Sequence, residues 1–353
     1  MTDLSAHTTF RVGGPAGEFV QADTEQELIE AVRDADESGL PVLVLSGGSN
    51  MLVGDGGFDG RVVKVAVKGV QAEDVMSCSG AFLNVAAGEV WDDFVAYCVA
   101  QADRRQGFVG VEALSGIPGL VGATPVQNVG AYGQEVADTV ARVRTWDRRA
   151  KQVKTFTAPE CFFGYRTSVF KRTPMVPGAP SGRYVVLTVS FQLALGKLSA
   201  PIRYQELADK LGVATGQRAP LAEVRQAVLD LRRAKGMLLD PADHDTWSAG
   251  SFFTNPVLTP EQAQTLPDDA PRYPTPEGRV KTSAAWLIER AGFGKGYGDG
   301  PARLSAKHVL AVTNTGGAKA SDVAELARQI IGGVECRFGV TLVPEPVLVG
   351  VDI

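Results

Sequence analysis

Residues 110–133 read GVEALSGIPGLVGATPVQNVGAYG, and this stretch resembles neither a core element nor an ordinary surface loop. It is too rich in glycine and polar residues for a buried helix or strand, and too apolar for a loop that faces only water. Such a composition is typical of backbone that lies directly against a flat cofactor, because glycine permits close approach. An irregular buried loop explains the composition equally well, so the stretch alone leaves both interpretations open.

A second glycine loop, Gly47-Gly48-Ser49-Asn50, follows a short apolar run that predicts a buried strand at residues 41–45. Two successive glycines can turn backbone N–H groups toward one point and form a nest for an anion, and Ser49 and Asn50 add side-chain donors. A plain β-turn is the commoner explanation of a lone Gly-Gly pair.

The elements around these loops predict a small α/β subdomain followed by a strand-rich segment. A capping box of Thr24 and Glu27 begins a helix that ends at Gly39, and a strand follows at 61–67. An apolar stripe then predicts a helix from Trp91 to Val99. Strands are predicted at 82–87, at 140–147 and 152–156 as a hairpin, and at 184–193.

The C-terminal third predicts helices and a β-α-β unit. A helical stripe runs from Leu221 to Lys235, a surface excursion covers residues 256–278, and a helix is expected at 283–291. The last helix is expected from an N-cap at Ser321 to Ile330. Strands are predicted on either side of it, at 309–314 and 334–342.

Length, charge and cysteine usage limit the classes of protein that fit. At 353 residues the chain exceeds one usual core, so about two or three domains are expected. The formal net charge of −5, without a block of like charges, argues against nucleic acid or an anionic membrane as partner. No apolar run approaches a membrane span, and residues 1–10 lack a signal-peptide pattern. Reduced thiols, as in a cytoplasmic protein, are expected at the scattered cysteines: Cys78, Cys98, Cys161 and Cys336.

Several kinds of site have no motif in this sequence. His7, His244 and His308 form no ligand cluster, so no metal site is predicted. There is no Walker loop and no clean Gly-x-Gly-x-x-Gly, which disfavours a kinase or an ordinary Rossmann dehydrogenase.

Six motifs occur together in an order that resembles the UDP-N-acetylenolpyruvoylglucosamine reductases, and the resemblance covers nearly the whole chain. Residues 9–16 (TFRVGGPA) resemble the family's opening motif, residues 47–50 its pyrophosphate loop, and residues 116–133 its flavin-cradling segment. The motifs that carry its catalytic arginine, serine and glutamate resemble residues 165–171 (YRTSVFK), 249–256 (AGSFFTNP) and 342–347 (LVPEPV). Together the motifs are far more specific than any one of them.

The resemblance implies an α+β protein of three domains. Residues 1–68 would be the first FAD-binding subdomain, and residues 69–220 the second, joined by the C-terminal strand 341–353. These two parts would form a module of the vanillyl-alcohol-oxidase type that binds FAD non-covalently. Residues 221–340, with the β-α-β unit, would bind the substrate.

The same resemblance implies NADPH-dependent reduction of UDP-N-acetylglucosamine enolpyruvate to UDP-N-acetylmuramate in peptidoglycan precursor synthesis. Hydride would pass from NADPH to the flavin and then to the terminal methylene carbon, while a proton reaches the neighbouring carbon. A cytoplasmic monomer is expected, with no membrane insertion and no nucleic-acid partner.

Three catalytic residues follow from the resemblance, and each has a plainer explanation when taken alone. Arg166 would pair bidentately with the substrate carboxylate, although an isolated arginine is more often a solvated surface group. Ser251 would donate the proton, although a Gly-Ser pair is more often a turn. Glu345 would hold a proton or orient the developing enediolate, whereas alone it would be a charged residue at a strand end.

The remaining implied contacts lie in the two glycine loops and in four further positions. Cofactor contacts are implied for Gly47, Gly48, Ser49, Asn50, Ser115, Gly116, Ile117, Pro118, Gly119, Gly122, Ala123, Gln127, Asn128, Gly130, Ala131 and Tyr132. Substrate contacts are implied for Tyr165, Tyr204, Lys235 and Asn255.

Two other functions are alternatives to the reductase. An FAD-dependent sugar or alcohol oxidase of the same fold usually links its flavin to a histidine, and neither flavin loop contains one. A non-catalytic nucleotide-sugar binding protein would have lost at least one of Arg166, Ser251 and Glu345, and all three are present.

Overall fold

The computed structural model describes residues 2–76, 79–104 and 106–353, without the side chains at 103 and 104. These residues form two units. The first unit comprises Ala16–Gly47 and Asp59–Ala234, and the second comprises Thr2–Pro15, Gly48–Phe58 and Lys235–Ile353. Both units combine helices with strands, so the prediction of an α+β fold is confirmed.

The bounds of the elements in the described part of the chain are as follows. The helices are α1 Glu25–Glu37, α2 Trp91–Arg104, α3 Val169–Arg172, α4 Gln205–Leu211, α5 Leu221–Ala234, α6 Pro260–Gln264, α7 Ala284–Arg290 and α8 Ala320–Phe338. The strands are β1 Ala16–Ala22, β2 Val42–Leu45, β3 Met51–Val53, β4 Phe58–Val65, β5 Val70–Met76, β6 Gly80–Ala86, β7 Gly107–Val109, β8 Gly130–Ala131, β9 Gln134–Glu135, β10 Val140–Asp147, β11 Gln152–Thr157, β12 Tyr184–Gly196, β13 Val257–Leu258, β14 Tyr273–Pro274, β15 Val280–Lys281, β16 Ala302–Leu304, β17 Val312–Asn314 and β18 Val347–Val349. Short 3-10 helices cover Leu4–His7, Glu112–Leu114, Val121–Ala123, Val136–Asp138, Pro159–Cys161 and His244–Thr246.

The first unit begins with a small sheet in the order β1-β4-β2, in which β2 and β4 run parallel. Helix α1 begins as the sequence predicts, because the Thr24 side chain accepts from the backbone N–H of Glu27 and the Glu27 side chain accepts from that of Thr24. Three ion pairs join α1 to β10 and the turn after it: Glu25–Arg144, Asp36–Arg148 and Glu37–Lys151.

A larger antiparallel sheet in the order β11-β10-β12-β6-β5, with β7 pairing β12, forms the rest of this unit's framework. The predicted hairpin of β10 and β11 is confirmed by the register Asp147↔Gln152. The predicted stripe of α2 is also confirmed. Trp91 and Phe94 are buried, and their rings lie 6.0 Å and 5.0 Å from the ring of Phe191 on β12. The indole Nε1 of Trp91 also donates to the carbonyl of Leu114 at 3.0 Å, which holds the start of α2 beside the loop at 110–133.

In the second unit, β18 pairs parallel with β3, and Val347 lies opposite Met51. The sequence assigned the C-terminal strand to residues 69–220, whereas the structure pairs it with residues that precede them. Helices α7 and α8 pack into one core with Phe10, Phe252 and Phe253. The three-domain division itself stays a prediction.

The predictions at both ends of α8 are wrong. Residues up to Phe338 are helical, so the strand predicted at 334–342 and its β-α-β unit are not formed there. Ile330 and Val334 are buried four residues apart and continue the helical stripe, until Gly339, with a φ of 63°, ends the helix. At the other end Lys319 is the N-cap in place of Ser321, because Asp55 accepts from the backbone N–H groups of Ala320 and Ser321 at 2.7 and 3.1 Å.

Candidate functional site

Within the first unit, Gly47 meets the loop at 110–133 backbone to backbone. A Cβ placed on Gly47 would lie 2.6 Å from the Cα atom of Gly119. Gly119 is held in turn by Trp91, whose backbone N–H donates to its carbonyl at 3.0 Å. Just before Gly47, the hydroxyl of Ser46 is buried and has no hydrogen-bond partner among the described residues. A buried hydroxyl without a partner costs free energy unless a ligand or water satisfies it.

Other glycines of the predicted cofactor set are required by packing within the chain. Gly48 has a φ of 60°, and a Cβ there would collide with the carbonyl oxygen of His7. A Cβ on Gly122 would lie 2.5 Å from that of Ala87. Glycine is therefore required at these positions because other parts of the protein, and not only a cofactor, approach the backbone closely there.

Both polar groups of the Gly116 backbone are held by charged side chains. Its N–H donates to Asp92 Oδ1 at 2.5 Å, and its carbonyl accepts from Arg232 Nε at 3.1 Å. Arg225 pairs bidentately with Asp92 at 2.6 and 2.8 Å. Although burial opposes it, hydrogen bonds from Arg225 and Gly116 hold the pKa of Asp92 below its ordinary value.

Tyr132, at the end of the same loop, meets Tyr204 edge to face with ring centroids 5.8 Å apart. A predicted cofactor residue and a predicted substrate residue are thereby brought together. Burial raises the pKa of Tyr132 to about 12, so its phenol stays neutral. Burial lowers the pKa of Arg232, while the neighbouring Tyr132 and Asp92 act to raise it. The guanidinium remains protonated, because arginine does not lose its proton in proteins.

Arg166 lies at the tip of a tight turn in the first unit. Gly164 and Thr167 exchange backbone hydrogen bonds of 3.0 and 3.2 Å, with Tyr165 and Arg166 between them. Arg166 has a φ of 52°, a left-handed conformation that non-glycine residues adopt at turns and strained functional sites. Its Nη2 donates to the carbonyl of Gly130 at 3.2 Å, so the turn contacts the loop at 110–133.

Ser251 and Glu345 lie on two adjacent segments of the second unit. Glu345 donates its backbone N–H to Phe252 at 2.8 Å, and Phe253 forms a bridge with Pro344. Both Ser251 and Glu345 are half-buried. The structure thus brings together the serine and the glutamate that the sequence places far apart.

Four other predicted residues also belong to the second unit: Ser49, Asn50, Lys235 and Asn255. Asn50 donates to the carbonyl of Glu345 at 3.4 Å and accepts from Val347 N–H through its own carbonyl. The Asn255 side chain accepts from the N–H of Ala284 at 3.0 Å, at the start of α7. Lys235 directly follows α5 and is half-buried. Ser49 is half-buried in the loop beside Asn50.

The remaining predicted cofactor positions lie along the loop of the first unit. Ser115 is fully buried, and its hydroxyl donates to the carbonyl of Glu112 at 2.7 Å, so that group is used within the protein. The Asn128 amide is likewise used within the protein, through Glu135, Gly164 and Ala137. The others are half-buried in the loop: Ile117, Pro118, Ala123, Gln127 and Ala131.

The sequence did not indicate four residues that shape this site: Ser46, Asp92, Arg225 and Arg232. One signal was available, because Arg225 and Arg232 are seven residues apart and therefore share a face of the predicted helix. The sequence marks their partner Gly116 only as a cofactor contact and does not mark Asp92. The tertiary structure brings these groups together.

No group of three or more histidine, cysteine, aspartate or glutamate side chains among the described residues could hold a metal ion. In the same part of the chain no helix has the length and apolarity to span a membrane.

Comparison with known proteins gives the family that this chain resembles along its length. Residues 16–155 match the family model described as FAD binding domain, and residues 240–349 match the UDP-N-acetylenolpyruvoylglucosamine reductase C-terminal domain. A UDP-N-acetylenolpyruvoylglucosamine reductase of Cutibacterium acnes is 56% identical, over 99% of this chain and 90% of the relative. One of Thermobifida fusca is 52% identical, over 99% and 97%. The crystal structure of the enzyme from Thermus caldophilus superposes with a TM-score of 0.62 at 27% identity, over 99% of this chain and 97% of that one.

These matches define the class first: a mixed α+β protein with an FAD binding domain in its N-terminal half. The identity over nearly the full length of both chains then settles the membership. The chain belongs to the UDP-N-acetylenolpyruvoylglucosamine reductase family.

Proposed function

We propose that this protein reduces UDP-N-acetylglucosamine enolpyruvate to UDP-N-acetylmuramate, using FAD and NADPH, in the synthesis of peptidoglycan precursors. The observation that carries the proposal is the hydrogen bond between Glu345 and Phe252, because it brings a hydroxyl and a carboxyl group of the expected types onto adjacent segments. The relatives of the same name along the full chain support the same activity.

The residues of the first unit fit FAD. The buried Ser46 hydroxyl offers a donor for a phosphate or ribose oxygen, and the close approach of Gly47 to Gly119 leaves backbone without side chains at the loop surface. Arg232 adds a half-buried positive charge beside Gly116, which suits an anionic group. We therefore assign the cofactor to residues 46–47 and to the loop at 115–132 of the first unit, where FAD would supply hydride transfer from NADPH.

Arg166 is the residue we assign to the substrate carboxylate. Its guanidinium can pair with both carboxylate oxygens, and its turn restricts the conformations available to it. A fixed positive charge at the carboxylate would stabilise the negative charge that develops there as the enol ether is reduced.

Ser251 and Glu345 are the residues we assign to protonation. Ser251 would give its proton to the carbon beside the carboxylate, and an alkoxide left behind needs neighbouring donors. Lys235 is the candidate for that support, because an ammonium lowers the free-energy cost of a nearby alkoxide. Glu345 would hold a proton or orient the developing enediolate.

Two finer features belong to the same proposal: the enzyme is a monomer, and it works in the cytoplasm. The oxidase alternative is not favoured, because the relatives over the full chain are named as reductases.

The test is a rapid-mixing experiment on the purified protein. Protein that is yellow, and that releases FAD on acid treatment, is expected to lose its flavin absorbance when mixed with NADPH. The absorbance should return when UDP-N-acetylglucosamine enolpyruvate is added without oxygen. Reduction by NADPH with reoxidation only by oxygen would contradict the proposed reaction and would favour the oxidase.

A further inference from the structure

The Asn128 side chain connects the loop at 110–133 to the turn that carries Arg166. Asn128 is 1% exposed. Its Nδ2 donates to Glu135 Oε2 at 2.6 Å and to the carbonyl of Gly164 at 3.2 Å, and its Oδ1 accepts from the N–H of Ala137 at 3.1 Å. Both amide N–H bonds and the amide oxygen are therefore used by the protein.

The bond to Gly164 reaches the carbonyl that closes the Arg166 turn. That oxygen also accepts from the N–H of Thr167 at 3.2 Å. A carbonyl has two acceptor sites, so the two donors together orient the peptide that precedes Tyr165. The Asn128 amide thus acts at the base of the turn, in addition to the backbone bonds between Gly164 and Thr167.

A second contact runs in the opposite direction between the same two segments. Arg166 Nη2 donates to the carbonyl of Gly130 at 3.2 Å, two residues after Asn128. Gly130 lies in β8, paired with Glu135, and a Cβ on Gly130 would lie 3.5 Å from Arg166 Nη1. These two contacts lie at the base of the turn and at its tip. Ser168, directly after the turn, adds a further contact, because its hydroxyl donates to the carbonyl of Val126 in the same loop at 2.5 Å.

We propose that Asn128 is a positioning residue for Arg166, and that it acts through the carbonyl of Gly164. The left-handed backbone of Asn128, with a φ of 50°, is consistent with this, because asparagine tolerates the conformation that aims the amide at Gly164. The inference rests on the proposed role of Arg166 at the substrate carboxylate.

The first variants separate positioning from cofactor support. Asn128→Gly accepts the same φ but removes the amide. We expect FAD affinity, measured by quenching of flavin fluorescence, and flavin reduction by NADPH to stay within a few-fold of the parent. The KM for the enolpyruvyl substrate in flavin reoxidation should rise about tenfold, at the upper end of what loss of one hydrogen bond that holds the turn would cause. Lys151→Gly is the matched control, because Lys151 also has a φ of 51° but lies in the β10–β11 turn.

A second pair of variants keeps the test informative if Asn128→Gly folds poorly. Asn128→Asp places a second carboxylate against that of Glu135, and the two repel each other. In the double variant Asn128→Asp, Glu135→Gln, the glutamine amide can donate to the aspartate, so this contact is restored. Neither can donate to the carbonyl of Gly164. The double variant should therefore recover the melting temperature and FAD affinity of the parent while its KM for the substrate stays raised.

Two results would overturn the inference. One is recovery of the substrate KM in the double variant, since that would show a purely structural role. The other is a parallel loss of FAD binding and of both half-reactions in Asn128→Gly. Arg166→Lys separates these results from failure of the proposed function. If Arg166→Lys raises the substrate KM and the Asn128 variants do not, Arg166 keeps its role and Asn128 loses its own.

Discussion

The backbone N–H of Glu345 donates to the carbonyl oxygen of Phe252 at 2.8 Å, so the segment of Glu345 runs beside that of Ser251. The N–H of Thr254 donates to Val343 at 3.1 Å and extends the contact on the other side of the Phe253–Pro344 bridge. Because these bonds involve backbone groups, they fix the two segments whatever the side chains are. The side chains of Ser251 and Glu345 can therefore be changed without removing the contact that places them.

The first prediction separates the two half-reactions at Ser251. Ser251→Ala should leave flavin reduction by NADPH intact, because protonation occurs only after hydride has left NADPH. Reoxidation by saturating substrate should slow by about 10²–10⁴-fold, the usual contribution of a positioned general acid. Stopped-flow absorbance of the flavin measures both rates. Ser248→Ala, in the same segment, is the control, and reoxidation of Ser251→Ala at the parental rate would remove Ser251 from the protonation step.

The second prediction concerns Gly48, whose missing side chain is required by packing. Gly48→Ala should lower the melting temperature of the apoprotein as well as FAD retention, because a Cβ would collide with the carbonyl of His7. Gly56→Ala is the control in the following loop, where a Cβ would meet nothing within 4 Å. Thermal melts without FAD make the comparison, and an unchanged Gly48→Ala melt would mean that the loop can move away from His7.

A third prediction concerns the ion pairs between α1 and the β10 region. The Arg148 and Asp36 side chains are 4% and 12% exposed, and Arg148 donates to both carboxylate oxygens at 2.9 and 2.6 Å. Arg148→Ala should cost about 3–5 kcal/mol of unfolding free energy, because it leaves a buried carboxylate unpaired. Lys151→Ala breaks the exposed pair with Glu37 and should cost at most about 1 kcal/mol. Urea denaturation of both variants checks the difference, and equal costs would contradict it.

The fourth prediction concerns pH and the start of α8. Although burial opposes it, hydrogen bonds from Ser321 and Ala320 hold the pKa of Asp55 below its ordinary value. A carboxyl group with a lowered pKa stabilises the fold above its unfolded pKa of about 3.9, and this stabilisation is lost as pH falls through the folded pKa.

Asp55→Ala should therefore cost about 1 kcal/mol at pH 7, as expected for loss of a helix cap, and less near pH 3. The exposed Asp299→Asn is the control. Denaturation at both pH values measures the loss of unfolding free energy. An equal loss near pH 3 would show that the charge on Asp55 does not contribute to capping α8.

The fifth prediction concerns the charged residues around Gly116. Arg225→Lys keeps the charge but loses the bidentate pair with Asp92, so the Asp92 contact with the Gly116 N–H should loosen. We expect the dissociation constant for FAD to rise several-fold with little change in the melting temperature of the apoprotein. Arg233→Lys, on the exposed side of the same helix with Asp230, should bind FAD like the parent. Flavin fluorescence titration decides, and equal affinities would mean that Asp92 holds Gly116 without Arg225.

The local elements were predicted where the sequence contains its own signal. Thr24 and Glu27 define the start of α1, and the stripe from Trp91 to Val99 defines α2, because both signals act within a few residues. The predicted start of α8 is wrong because a residue distant in sequence determines where this helix begins. Asp55 caps the helix from another loop, so the serine at 321 was a misleading local signal.

The sequence by itself determined the family, the α+β class and the identity of the candidate catalytic residues, because these depend on residue types in a fixed order. Only the tertiary structure decided which groups meet. It placed the backbone of Glu345 against Phe252, the amide of Asn128 against Gly164, and Arg232 against Gly116. Each of these contacts joins segments far apart in the chain, and hydrogen bonds over such separations leave no periodic pattern in the sequence.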